Sequence, residues 1–252
     1  EYQLYQFDNL LAQDEKKDNF DAIYSPHKTW ITGDLDIHDL GLNEQNKPIF
    51  INTLFNCIAT VSDNYSFKPI WKPSFISSLV AEDRCHLNGL ALENGVPRYV
   101  TCVSKSDVSD GWRDRRKDGG LVIDVGNNKV VASNLSMPHS PRLHAGKLWV
   151  LNSGTGELGW INTDLGKFTP IAFCPGYARG LTFVDNFAIV GLSLPRDNKT
   201  FQGLELDESL SMKDIDPRCG LLIIDIETGN TIHWIRIEGV VRELFDVSFL
   251  PK

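Results

Sequence analysis

The chain has 252 residues, 42% of them hydrophobic and 23% charged, with a formal net charge of -8. This composition is ordinary for a globular protein, and the acidic balance argues against nucleic-acid binding, which needs a basic surface. The longest apolar runs have the length of β-strands, far short of the ~20 residues that span a bilayer, so we predict no membrane partner.

The five cysteines form no disulfide or zinc pattern. Their number is odd, and no CxxC or CxxH pair occurs. No basic segment followed by an apolar one opens the sequence, so no signal peptide is visible. Together these features favour reduced thiols and a cytoplasmic location.

The first predicted elements are short strands over residues 1–11, followed by a charged loop over 12–19. From Asp36 onward, short runs rich in Ile, Val, Phe, Trp and Thr alternate with Asn, Asp, Gly and Pro, which is typical of strands and turns. These runs recur in groups of four. The groups begin DIHDLGL, HLNGLAL, SPRLHAG and ARGLTFV.

Four strands per unit, repeated every 40–65 residues or so, predict an all-β fold, a β-propeller that forms a single domain over 1–252. The predicted blades span 24–75, 83–135, 137–175 and 176–239. Residues 1–23 are predicted to be the remnant of a preceding blade, and 240–252 the inner strand of the last one. Either the two ends join in one closing blade, or the natural protein is longer at its N-terminus.

Turn and core residues support this arrangement. Tight turns are predicted at 124–128, 162–166 and 225–229, where Asn or Asp accompanies Gly. Four tryptophans fall within predicted strands and are expected to pack between blades: Trp71, Trp149, Trp160 and Trp234.

The order of strands in a blade predicts at which end of the propeller each loop, and the polar residues in it, will lie. Loops that lead into the first strand and loops that leave the second strand lie at the same end of a propeller. Two long insertions, 104–119 and 193–219, leave second strands, and long loops in compact domains are commonly functional. We therefore predict a concave polar site at the channel mouth, covered by these loops.

The residues at this mouth have three candidate roles. His86 and His139 are candidate general bases, since imidazole titrates near neutral pH. The candidate ligand-binding residues are His38, Arg142, Arg179, Arg242 and Asn152. The candidate metal ligands are Asp39, Asn88, Glu243 and Asp246, whose oxygens would suit a divalent cation such as calcium.

Each role has a structural alternative. The histidines, which we expect at matching positions in three blades, also suit bonds to neighbouring backbone that hold blades in register. The arginines, together with Arg113, Arg115, Arg116 and Arg196 in the insertions, form either an anion site or ion pairs with nearby carboxylates. An aspartate at a strand start often caps a turn. No serine lies in a GxSxG elbow.

Several runs together resemble a bacterial family of conserved hypothetical proteins, carried as a domain of unknown function and sometimes labelled tetratricopeptide-like. The runs include TGDLDIHDL, DRCHLNGLAL, SDVSDGWRDRRKDGG, MPHSPR, LNSGTGELG, FCPGYARGL and VRELFDV. The resemblance implies no catalytic residues, and no 34-residue helical repeat supports the tetratricopeptide label. The single run HLNGL is similar to an inner-strand motif of gluconolactonase- and paraoxonase-type propellers, which implies a calcium ion in the channel.

Two functions follow as expectations. The first is an enzyme that acts on a small anionic or sugar-like molecule at the channel mouth. The alternative is a non-catalytic module that binds a peptide, glycan or partner protein on the same face. Fold alone does not decide between them.

Overall fold

Short apolar runs separated by Asn, Asp and Gly form strands along nearly the whole chain. The computed structural model describes residues 2–195 and 203–250. The strands are β1 (Gln3–Asn9), β2 (Tyr24–Ile31), β3 (Ile37–Leu42), β4 (Pro48–Asn52), β5 (Cys57–Thr60), β6 (Lys68–Trp71), β7 (Leu87–Glu93), β8 (Val96–Cys102), β9 (Gly120–Asp124), β10 (Lys129–Leu135), β11 (Pro138–His144), β12 (Lys147–Asn152), β13 (Glu157–Asn162), β14 (Lys167–Phe173), β15 (Tyr177–Val184), β16 (Phe187–Ser193), β17 (Gly220–Asp225) and β18 (Thr231–Arg236).

Consecutive strands pair in antiparallel order and form four sheets of four strands, β3–β6, β7–β10, β11–β14 and β15–β18. We call these sheets blades 1 to 4. The inner strand β7 packs against β3 and β11, and β11 packs against β15, so the blades follow one another around a central channel. The predicted fold is confirmed: the protein is a β-propeller of four four-stranded blades.

The first two strands stand apart from these blades. β1 pairs with β2 from Gln3↔Ile31 to Asn9↔Tyr24, and the two form a separate two-stranded sheet. We call this pair and its connecting loop the N-terminal hairpin. Residues 24–31, which the prediction placed in blade 1, therefore pair outside it, and the strands of that blade begin at Ile37.

The turns between the third and fourth strands of blades 2, 3 and 4 share one construction. The side-chain oxygens of Asp124, Asn162 and Asp225 each accept backbone N–H groups two and three residues further on. A side chain that replaces a backbone acceptor in this way favours a turn over a continuing strand. The tight turns predicted at these three places are confirmed.

The hydrophobic core lies between consecutive blades. Ile51 and Ile58 of blade 1 pack with Leu87 and Val100 of blade 2, and all four side chains are fully buried. Burial of such a side chain contributes about 1.5–3 kcal/mol, which makes these contacts the main source of cohesion. Trp149 is buried as expected, but Trp234 on β18 is 60% exposed, so the expectation for it is wrong.

A hydroxyl at the end of a second strand joins each of three blades to the part of the chain that follows it around the channel. The Thr53 hydroxyl donates to the carbonyl oxygen of Leu87, and the Ser153 hydroxyl donates to that of Ala178. The Ser193 hydroxyl donates in the same way to Leu244. We call each of these contacts a joint.

Residues 240–250, the C-terminal segment, contain no assigned strand but pack along blade 4. The Leu194 N–H donates to the Arg242 carbonyl, and the Leu244 N–H donates to the Ser193 hydroxyl. The backbone at Val247 lies close beside Gly180.

The insertions supply the helices of the described chain. One turn of 3₁₀-helix spans Arg113–Arg115, and α1 spans Glu205–Met212. Acidic residues fill the first turn of α1, where they face the positive end of the helix dipole. No helix within 2–195 or 203–250 is long and apolar enough to cross a membrane.

Candidate functional site

The backbone turns sharply where the chain enters the inner strands of blades 1, 2 and 3. Asp36, His86 and Met137 each directly precede an inner strand, and their φ angles are +50, +49 and +46. Residues other than glycine rarely adopt this left-handed conformation, and in native structures it clusters at functional sites. The inner-strand starts are therefore the first place to seek function.

Four side chains occupy equivalent positions at these starts. Strand pairing aligns His38, Asn88 and His139 as the second inner-strand residue of blades 1, 2 and 3. Arg179 matches them in blade 4, because the residue before it accepts a joint bond just as the residue before Asn88 does. The expectation of three equivalent histidines thus holds for two, and His86 instead matches Asp36.

His139 lies in a hydrogen-bond chain that crosses two blades. Thr101 Oγ1 donates to Asn88 Oδ1 at 2.8 Å, and His139 Nδ1 donates to the Met137 carbonyl at 2.9 Å. Since Nδ1 carries the proton of the neutral ring, His139 Nε2 accepts from Asn88 Nδ2 at 3.3 Å. Burial lowers the pKa of His139 well below its usual value, and the charge of Arg179 adds to the shift. His139 is therefore a neutral ring with both nitrogens engaged.

His38 uses its Nδ1 in the same local bond. This atom lies 2.9 Å from the Asp36 carbonyl oxygen and 2.9 Å from Thr53 Oγ1. The repeated bond from Nδ1 to the carbonyl two residues back fixes the orientation of both rings. The same bond gives a hydrogen-bond donor to the backbone carbonyls of Asp36 and Met137, the two residues in left-handed conformation.

Asp83, His86 and Trp112 form a compact triad at the mouth. His86 Nδ1 donates to Asp83 Oδ2 at 2.8 Å, and Trp112 Nε1 donates to the same oxygen at 2.9 Å. The rings of His86 and Trp112 stack at 4.2 Å, and the edge of His38 meets His86 at 4.8 Å. Asp83 Oδ1 is buried with no hydrogen-bond partner among the residues described. A carboxylate that holds Nδ1–H leaves Nε2 as the basic nitrogen of the ring.

The first insertion is fixed against this triad. Trp112, a residue of this insertion, is a member of the triad. Asp107, also in the insertion, accepts a hydrogen bond from Arg84 Nη1 at 2.7 Å. A bond from Ser77 and then the charge of Arg84 lower the pKa of Asp107 to about 2. The second insertion reaches the same place, because Leu204 and other buried side chains around α1 pack in one cluster with Trp112.

Arg142 makes the most extensive set of contacts between blades among the residues described. Its guanidinium makes a two-pronged bond to Asp39, at 2.8 and 3.1 Å, and contacts Asp246 at 3.4 Å. It also donates to the carbonyl oxygens of Leu90 and Leu181, each at 3.0 Å. One side chain of blade 3 therefore binds blades 1, 2 and 4 and the C-terminal segment.

Two carboxyl groups near the mouth show the effect of burial. Burial raises the pKa of Asp36. Burial also raises the pKa of Asp246, against the opposing charge of Arg142. Arg179 is 7% exposed and lies over the ring of Phe245 at 5.5 Å, where it adds a positive charge beside the histidines.

The four candidate metal ligands do not converge on one point. Asp39 and Asp246 face Arg142, and Asn88 is engaged by Thr101 and His139. Glu243 lies near Cys219, whose pKa is raised by burial and then by the Glu243 charge. Within the described ranges, no group of three or more His, Cys, Asp or Glu side chains is arranged to hold a metal ion.

The structure places the other predicted ligand residues in turns, loops and the C-terminal segment. Asn152 accepts from the Ser136 N–H and donates to Thr155, so its amide shapes a turn of blade 3. Arg242 is exposed at the start of the C-terminal segment. Arg113 pairs with Asp110 and stacks on Trp112.

Of the other loop arginines, Arg115 belongs to the 3₁₀ turn, Arg116 donates to the Arg113 carbonyl, and Arg196 lies outside the described residues.

Sequence reasoning did not select Asp83 or Trp112. Their available signals were an aspartate three residues before His86 and one aromatic residue in a highly charged loop.

A family model described as a domain of unknown function, DUF4915, matches residues 1–252. The chain belongs to this family. The predicted family resemblance is therefore confirmed, and the DUF4915 description itself assigns no activity.

Among the solved structures that resemble this DUF4915 chain, three are 10–16% identical to it. Hydrazine synthase of Kuenenia stuttgartiensis is 11% identical with a TM-score of 0.47, and the match covers 81% of this chain and 49% of that one. The computationally designed Ika8 protein is 10% identical with a TM-score of 0.45, over 85% and 53% of the two chains. Dihydro-heme d1 dehydrogenase NirN is 16% identical with a TM-score of 0.43, over 81% and 38%.

The DUF4915 chain thus spans about half the length of the first two of these structures. No curated protein matches it.

Proposed function

We propose that the protein is an enzyme whose channel mouth binds a small polar molecule bearing an anionic group, and that His86 acts there as a general base. The observation that carries this proposal is the triad of Asp83, His86 and Trp112. It supplies an oriented imidazole whose Nδ1–H is held at 2.8 Å by a carboxylate. A general base needs this arrangement, a fixed ring with Nε2 as the acceptor.

The left-handed backbone at His86 supports the proposal independently. A φ of +49 costs about 1–2 kcal/mol for a residue with a Cβ. Strain of this kind persists where the surrounding structure enforces it, and such positions are concentrated in active sites.

Arg179 is the proposed anion-binding group. It lies at the mouth among the histidines, and a guanidinium is the side-chain group best matched to a carboxylate or phosphate. Arg142, the other candidate, is used by Asp39 and by backbone carbonyls, so we assign it a structural role. His139 has both ring nitrogens engaged, so we assign it a positioning role and leave His86 as the base.

The test begins with a panel of sugar acids, sugar phosphates and dicarboxylates, screened against the wild-type protein by thermal shift and for turnover by NMR. For a converted compound, we expect His86→Gln to lower kcat by ~10²–10⁴-fold while binding persists. Arg179→Met is expected to weaken binding of the same compound. His144→Gln is the matched control, because His144 lies at the opposite end of β11, where its ring bonds to the Asp185 carbonyl and stacks on Phe183.

A His86→Gln protein that turns over the compound at the wild-type rate would refute the assigned base. If compounds from the panel bind but none is converted, the protein is a binding module and the enzyme proposal fails.

A further inference from the structure

The helix α1 packs onto the channel mouth through an apolar cluster. The cluster joins α1, the first insertion and the entries to blades 3 and 4, and its members include Leu206, Leu210, Trp112, Met137 and Tyr177. All five residues are buried. The helix therefore covers part of the mouth instead of projecting into solvent.

Met137 and Tyr177 show which half of the mouth α1 covers. They lie two residues before His139 and Arg179, the mouth residues of blades 3 and 4. His139 is 4% exposed and Arg179 is 7% exposed, so this half of the mouth is closed in the structure. A molecule that reaches Arg179 from this side has to displace α1.

The two insertions are held against the blades in different ways. The first is fixed by polar bonds, from Trp112 Nε1 to Asp83 and from Arg84 to Asp107. The helix α1 is held by its apolar side chains, together with one backbone bond from the Leu206 N–H to the Gly154 carbonyl at 2.9 Å. Elements held by few contacts open locally at a lower free energy than the whole fold unfolds.

The chain turns through a left-handed residue on each side of α1. Gly203 has a φ of +70 and Asp214 a φ of +52. The space around Gly203 is open, since an added Cβ there would meet nothing closer than Lys117 Nζ at 3.8 Å. Residues at the ends of elements commonly absorb the change in backbone angles when a lid moves. The helix is thus a short unit with a possible hinge at each end.

We propose that α1 is a lid, which swings away from blades 3 and 4 about Gly203 and Asp214 while the blades stay folded. The anionic substrate enters through this opening and reaches Arg179. The identity of the entering molecule rests on the proposed function, but the motion is a property of the unliganded protein and is tested without a substrate.

The two methionines of the chain give a direct readout of the motion. Met137 is 1% exposed beneath α1, and Met212 at the end of α1 is 79% exposed. Hydrogen peroxide converts accessible methionine to the sulfoxide, and peptide mass spectrometry follows each residue separately. We expect rapid oxidation of Met212 and slow oxidation of Met137, at a rate set by the fraction of molecules in which α1 is open.

Leu210→Ala is expected to speed the oxidation of Met137 at least ~10-fold, because it removes apolar contacts that α1 makes only when closed. Leu148→Ala is the matched control. Leu148 is 3% exposed in a core cluster of blades 2 and 3 that contains no residue of α1, so its loss weakens the fold without loosening the lid. Near-UV circular dichroism checks that both variants are folded.

The proposal is overturned if Met137 of the wild type is oxidised as fast as Met212, or if Leu210→Ala has no larger effect than Leu148→Ala. Hydrogen exchange of the wild type gives a second measurement that needs no variant. The amides of α1 should exchange faster than those of β15, and equal protection would also overturn the lid. Peroxide requires no substrate, so failure of the lid is distinguishable from failure of the assigned base, which His86→Gln reports.

Discussion

Removal of the Arg142 side chain gives the most direct test of how the blades are held together. We expect Arg142→Met to lower the free energy of unfolding by about 3–5 kcal/mol, the usual cost of removing one partner of a buried ion pair. The structural reason is that the Asp39 side chain, 3% exposed, would lose the guanidinium that it faces and keep, among the described contacts, the hydrogen bond from the Leu90 N–H. Two backbone carbonyls, at Leu90 and Leu181, would also lose a donor.

The assay is urea unfolding at neutral pH, followed by tryptophan fluorescence. Arg236→Met is the control, because the pair of Arg236 and Glu238 is exposed by 56% and 73% and an exposed pair contributes about 1 kcal/mol or less. Adding Asp39→Asn to Arg142→Met removes the buried charge but keeps an acceptor for the Leu90 N–H. The double variant should therefore recover part of the loss. The reasoning is refuted if Arg142→Met costs no more than the control, or if Asp39→Asn restores nothing.

Three further predictions concern single sites. Between about pH 7 and pH 5 the protein should lose up to ~1.4 kcal/mol of stability per pH unit through His139. The reason is that His139 of the unfolded chain takes up a proton below its ordinary pKa near 6.5, while the buried ring of the folded protein stays neutral. Urea titrations at several pH values should show a flatter stability profile for His139→Gln, and an identical slope would contradict this account. Gly180→Ala should lower the Tm more than Gly33→Ala. Both glycines have a left-handed backbone, but an added Cβ would lie 2.4 Å from the Val247 backbone nitrogen at Gly180 and would meet nothing within 4 Å at Gly33. Equal shifts in Tm would rule out that contact as the cause. Burial raises the pKa of Cys57 and Cys174 to about 12, so neither should react with a thiol reagent near pH 8 until the protein unfolds, and rapid labelling of the native protein would disprove this.

The blades could be predicted from the sequence because their signals are local. Each strand is a short apolar run, and turns such as 124–128 carry the aspartate that bonds the next few N–H groups. His38 and His139 could also be placed at the mouth, since a polar residue at the start of a buried strand is visible in the sequence.

The triad and the Arg142 contacts could not be predicted, because they depend on distant partners. Arg142 and Asp39 are separated by 103 residues, and both were assigned to ligand sites since nothing local pairs them. Trp112 lies 29 residues after Asp83 in a loop whose alternating charges are typical of a solvated segment. Only the tertiary fold determines that the loop carrying Trp112 packs against Asp83, and that Arg142 and Asp39 form an ion pair with each other.

The joints have a consequence for how the channel mouth can diversify. Each joint is received by a main-chain carbonyl, which every amino acid has, so the identity of the side chain that follows is left open. The residues that follow the three joints show this freedom: they are Asn88, Arg179 and Phe245. Under the proposed function, mutation at these positions changes what the mouth binds while the spacing of the blades stays the same, so that ligand preference evolves separately from architecture.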